Sequence, residues 1–236
     1  MTDRLERSPA PARDAPAPRD GRKPAAWREA ARALLRARSA GARAHAAPGE
    51  DYFERATCVS FQMDGMPLTP AEYRAALNTR GNGRACRSRP AQRARNHVAI
   101  LRKIESLLWH GRPLNPRDVI RWYTSIACGL SAAAIDGATL TRIERIVSSV
   151  NSPRLRFWPA VKEVAALHVN LSTDPFVPGF NGILSRLLLR YHMGRCGLPP
   201  IVFDPVQDLE KLTSVSMLEP RLLELIARSY DGVENR

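Results

Sequence analysis

The residues best placed to do chemistry lie in one stretch, TDPFVPGFNGILSRLLLR, running from Thr173 to Arg190. Gly179 and Gly182 bracket Phe180 and Asn181 and lead into an amphipathic helix, whose first backbone N–H groups have no acceptor within the helix. Such a terminus cradles phosphate and other anions, and Arg186 adds a guanidinium from the helix itself. Asp174, at the start of the loop, is the carboxylate able to serve as acid or base, although an unperturbed value near ~4 makes it a weak base. Each residue also has a plain structural use. Asn181 and Gly182 shape and cap a helix start, and an Asp before a Pro is a natural capping or surface acid. His168, His192 and Cys196 read as core residues with no second ligand nearby in sequence, so no metal site is expected.

These residues need a scaffold, and the composition bounds it. A chain of 236 residues holds one well-filled core plus a tail. Lys and Arg outnumber Asp and Glu by 36 to 23, a net charge of +13, which favours polyanionic partners. The four cysteines, Cys58, Cys86, Cys128 and Cys196, are widely spaced with no paired motif, arguing against zinc and a dense disulfide framework. The N-terminus carries acids and prolines where a signal peptide needs an apolar run, and no membrane segment is expected. A cytoplasmic location is therefore the default, with signal-free export left open.

Residues 1–49 read as a disordered Ala/Pro/Arg-rich tail carrying one basic amphipathic helix, AAWREAARALLRARSAGARAHA, with Trp27, Ala31, Leu34 and Leu35 on its stripe. Residues 50–236 form the expected helical domain. Its most basic part, 79–117, holds ten Arg and Lys against Glu105 alone. NGRACRSRP reads as a loop broken by Gly81, Gly83 and Pro90, and a helix follows from Gln92 with Val98, Leu101, Ile104, Leu107 and Leu108 inward. Further helices are expected over NPRDVIRWYTSIACGLSAAA, with Asn115 as N-cap, DGATLTRIERIVSSV, WPAVKEVAALHVNLS, ILSRLLLRYHMGRCG and SMLEPRLLELIARSY. Alternating strand patterns are nearly absent, so the fold class is all-α.

Three features then occur in a telling order: SFQMDGMPLTPAEYRAAL, the helix ending AALHVNLSTD, and the loop with its helix and a Gly-Leu-Pro-Pro stop. Together, from about Thr57 to Ile201, they resemble the Fic (Fido) family, a helical bundle of nucleotidyl transferases. The family's loop reads His-Pro-Phe-x-Asp/Glu-Gly-Asn-Gly-Arg-x-x-Arg. The resemblance implies that Gly179, Asn181, Gly182 and Arg186 hold a nucleotide or phosphate. It also implies that Ser60, Asp64 and Gly65, followed by Leu68, Thr69 and Glu72, correspond to the family's inhibitory segment, whose acid pairs with the last Arg. This loop departs from the pattern: Asp174 stands for the general-base His, Pro178 for the metal-binding acid and Ile183 for the first Arg, and Phe180 is one residue extra.

Because each lost role is commonly worth about 10²- to 10⁴-fold, ordinary AMP transfer is not expected. The expected role is a degenerate Fic-like protein that retains phosphate or nucleotide binding and acts through a protein partner. Its cofactors are unknown, ATP and magnesium applying only if the family's activity is retained. One alternative is an enzyme of the same fold using Asp174 as acid or base. Another is a nucleic-acid-associated regulator acting through Arg84, Arg87 and Arg89, where a merely solvated basic loop is preferred because no aromatics interleave. The oligomeric state stays open.

Overall fold

The computed structural model describes residues 28–29, 31–32, 48–78, 89–128, 135–152, 157–177, 179–208 and 213–231. Most of the N-terminal tail, Arg84, Arg87, Cys86 and Pro178 fall outside these residues. Among the described residues there is no strand, as the all-α reading expects, and nine helices lie wholly within them. They are α1 (Glu50–Met63), α2 (Pro70–Asn78), α3 (Arg89–Trp109), α4 (Pro116–Ala127), α5 (Gly137–Asn151), α6 (Phe157–Thr173), α7 (Asn181–Arg195), α8 (Pro205–Asp208) and α9 (Val215–Asp231). None of them is long and apolar enough to cross a membrane.

The helix starts follow from local chemistry. Thr69 and Glu72 form a capping box for α2: the Thr69 N–H and hydroxyl both donate to Glu72 Oε2 at 2.8 Å, and Glu72 N–H donates back to Thr69 Oγ1 at 3.2 Å. Asn115 and Asp118 do the same for α4, with Pro116 at its first position. Asp136 caps α5 by accepting from Thr139 N–H at 2.7 Å.

Three expectations are corrected. α3 starts at Arg89, not Gln92, with Pro90 inside its first turn rather than breaking the chain, because a first-turn residue needs no N–H donor. α4 stops at Ala127 instead of running on, since Cys128 takes a left-handed φ of 50°. The helix after the loop is not amphipathic: twelve of the fifteen residues of α7 are buried, including Ser185, Arg190 and His192.

That burial makes α7 the axis of the bundle, packed against α1, α3, α4, α5 and α6. Ile183, Leu184, Leu187, Leu188 and Tyr191 face one apolar cluster with α3, α4 and α5. Leu189 and Met193 face a second, built with α6 and α9. Polar ties fix the axis. Arg190 forks onto Glu105 of α3 at 2.8 and 2.7 Å, and the Tyr191 hydroxyl donates to Asn151 Oδ1 at 2.8 Å while accepting from Leu114 N–H at 2.9 Å. These ties fix the C-terminal half of α7 against α3, α5 and the connection from α3 to α4.

Candidate functional site

The site is built where the end of α1 meets the start of α7. α1 closes with a glycine in the left-handed region: Gly65 has φ 70°, its N–H donates to Gln62 O at 3.1 Å, and Met66 N–H donates to Phe61 O at 2.9 Å. This pair of bonds is a Schellman closure, which needs the missing Cβ of Gly65. It leaves Asp64 at the helix end with its carboxylate turned toward α7. There Oδ2 accepts the Ile183 N–H at 3.1 Å and Oδ1 accepts from Arg186 Nη2. Arg186 also donates through Nε to Ser60 Oγ at 2.9 Å and through Nη2 to the Ser60 carbonyl at 2.7 Å. Ser60, Asp64 and Arg186, 126 residues apart at the extremes, thus form one cluster. Its charged side chains are only 10% and 12% exposed. Burial pushes the Arg186 guanidinium below its usual range while Asp64 opposes that shift, and the group keeps its proton throughout.

Gly182 lets the carboxylate approach. A Cβ there would stand 3.0 Å from Asp64 Cγ and closer still to one of its oxygens. Gly182→Ala is therefore expected to push Asp64 off the helix tip and to lower stability by about 1–3 kcal/mol. The urea midpoint of the variant measures this; an unchanged midpoint would mean the carboxylate does not sit there.

Asn181 has a structural task. Its Oδ1 accepts Phe176 N–H at 3.0 Å and its Nδ2 donates to Leu171 O, stitching the two ends of the loop, and the residue is buried. Gly179 is exposed with φ 83°. Ile183 is fully buried in the core. Asp174 lies away from the cluster. Its side chain is 74% exposed and pairs with Arg142 of α5 at 2.5 Å, while Arg142 also holds the Asp174 and Pro175 carbonyls.

Among the described residues no imidazole reaches the open side of the loop. His168 is buried and stacks on Phe203, with ring centroids 6.1 Å apart. His97 of α3 is buried against Phe61 and shares a 3.0 Å hydrogen bond with Thr57 Oγ1. Burial, and then the Arg186 charge, drives both rings down to about 3, the Ser185 backbone opposing this at His168. They are neutral imidazoles flanking a permanent cation.

Sequence reasoning missed α1 as a helix, although Phe53, Thr57, Ser60 and Phe61 follow the 3.6-residue period. It also missed Arg142, His97 and Arg93. Arg93 stands with its guanidinium carbon 4.7 Å from the Phe180 ring centroid. Only tertiary placement brings these three to the loop, and no motif marks them.

No family model and no curated protein matches the sequence. Solved structures do match. A glutamate-to-glycine form of Fic-1 from C. elegans superposes with a TM-score of 0.64 at 18% identity, covering 87% of this chain and 72% of that one. Fic-1 without that substitution gives 0.63 at 17%, covering 88% and 71%. At such identity the likeness shows architecture: the bundle around α7 has the helical Fic fold.

Proposed function

We propose that this chain is a Fic-fold protein whose loop holds a phosphate or nucleotide through Gly179, Asn181, Gly182 and Arg186, without ordinary AMP transfer, and which acts by engaging a protein partner. The observation that carries the reading is the Asp64 carboxylate on the α7 tip. It accepts from the Ile183 N–H and from Arg186, an arrangement as suited to one edge of a phosphate as to a carboxylate. In this state the protein's own acid fills the position, so a ligand must displace it.

Transfer chemistry finds little support in the donor set. A hydroxyl attacking phosphorus must lose a proton, and both nearby imidazoles are buried and held far below their ordinary range. Asp174 is engaged by Arg142 on an exposed edge. The residues do not fit magnesium either: of the carboxylates beside the loop, Asp64 is committed to Arg186 and Asp174 to Arg142. Pro178, outside the described residues, has no side-chain donor. Asn181 acts mainly by shaping the loop, leaving backbone N–H groups and Arg186 as the anion ligands.

Two measurements on the full chain test the reading. Titration calorimetry with ATP and pyrophosphate is expected to show weak binding by the wild type, tighter binding by Asp64→Ala, and none by Asp64→Ala/Arg186→Met. Asp64→Asn serves where the alanine variant does not fold. Labelled ATP incubated with a lysate should leave no AMP on any protein. Transfer that vanishes in Asp174→Ala would instead establish Asp174 as an acid or base, and failure of every variant to bind either compound would remove the phosphate site.

A further inference from the structure

A phosphoryl group carrying two negative charges needs more positive charge than Arg186 supplies, since Ser60 and Asp64 already engage that guanidinium. Other arginines come near the loop or run along α7, and two are neutralised: Arg142 by Asp174 and Arg190 by Glu105. Arg93 differs. Its Nε donates to the Ile126 carbonyl at 3.2 Å and its Nη1 lies 3.7 Å from Met66 Sδ. Among the described residues no carboxylate forms an ion pair with it.

Its neighbours define where that uncompensated charge sits. Met66 lies two residues beyond Asp64, and Phe180 immediately precedes Asn181 at the start of α7. Arg93 therefore stands between the segment that carries the internal acid and the loop that receives it. The half-buried Phe180 ring packs on the core and presents a face to the guanidinium, 4.7 Å from its centroid. A ring face and one carbonyl orient a guanidinium while leaving its remaining N–H groups for an anion.

We propose that Arg93 is the second cation of this site and that the ligand is a phosphate ester or polyphosphate bearing a doubly charged terminal phosphoryl group, held jointly by Arg93 and Arg186 once Asp64 moves off. The inference rests on the phosphate-binding reading above. Phe180, the residue by which this loop is longer than the pattern it resembles, acquires a role as the platform that holds Arg93 in place. Ile183, in the core, contributes no charge, and Arg93 provides from α3 a positive group that α7 does not offer at that position.

The test uses pyrophosphate as probe, titrated calorimetrically into the full chain carrying Asp64→Ala, at low and moderate salt. Adding Arg93→Gln, which keeps a donor for the Ile126 carbonyl and removes the charge, is expected to weaken binding about tenfold or more and to flatten its salt dependence. Arg93→Lys should recover part of both, and Phe180→Leu should weaken binding severalfold with the charge still present. Circular dichroism confirms that each variant is folded. Equal affinity and equal salt dependence with and without Arg93 would overturn this role while leaving the phosphate site standing. Absence of pyrophosphate binding in every Asp64 variant would remove the site itself, and this role with it.

Discussion

Arg186→Met is expected to cost about 3–5 kcal/mol of folding stability, because it leaves the Asp64 carboxylate nearly buried with only the Ile183 N–H to offset its charge. It also strips the Ser60 hydroxyl and carbonyl of their guanidinium donor. Asp64→Asn keeps an acceptor for the Ile183 N–H and leaves Arg186 its two bonds to Ser60, so a smaller loss of about 1–3 kcal/mol is expected. The informative result is the double variant. Once both charges are gone neither is left uncompensated, so the combined loss should fall short of the sum by about 1–3 kcal/mol. Urea denaturation of the four proteins measures that coupling. Strict additivity would mean that the two side chains do not meet in solution and that α1 does not latch the tip of α7.

This latch shows what was legible in the sequence. Asp64 and Gly65 entered by resemblance alone, and the helix that Gly65 closes was not read from its own residues. Thr69 and Glu72, grouped with them on resemblance alone, turn out to be a capping box whose hydrogen bonds explain why those two types recur three apart. What spacing could not tell was the depth of α7. Arg190 and His192 look like the polar side of an amphipathic helix, and Arg190 is buried only because Glu105, 85 residues earlier, forks onto it. Likewise α1 was obscured because its buried face carries the polar Thr57 and Ser60 between Phe53 and Phe61, which thins its apolar stripe. Arg93 and Arg142 belong to the loop by packing alone. Local rules gave the element types and the caps, while the electrostatic identity of the site depended on contacts between distant elements.

Acid should unfold this protein well above the pH at which ordinary carboxylates protonate. His97 and His168 are held at about 3 and His192 at about 4 by burial, with Arg186 adding to the shift at the first two, against 6.5 for a free ring. Each folded-state value is depressed, so between pH 6.5 and about 3 the unfolded chain binds protons that the native state refuses. Stability is therefore full above pH 6.5 and declines as pH falls. At pH 5 each histidine removes about 2 kcal/mol, and the three together about 6, comparable to the whole stability of many domains. A thermal midpoint recorded from pH 8 to pH 4 should hold level down to about pH 7 and then fall steeply. His168→Phe, which keeps a ring against Phe203, should remove about a third of that slope. A midpoint that stays level between pH 7 and pH 5 would show water reaching these rings, and Arg186, flanked by two of them, would then lack the dry surroundings that make its partner's charge matter.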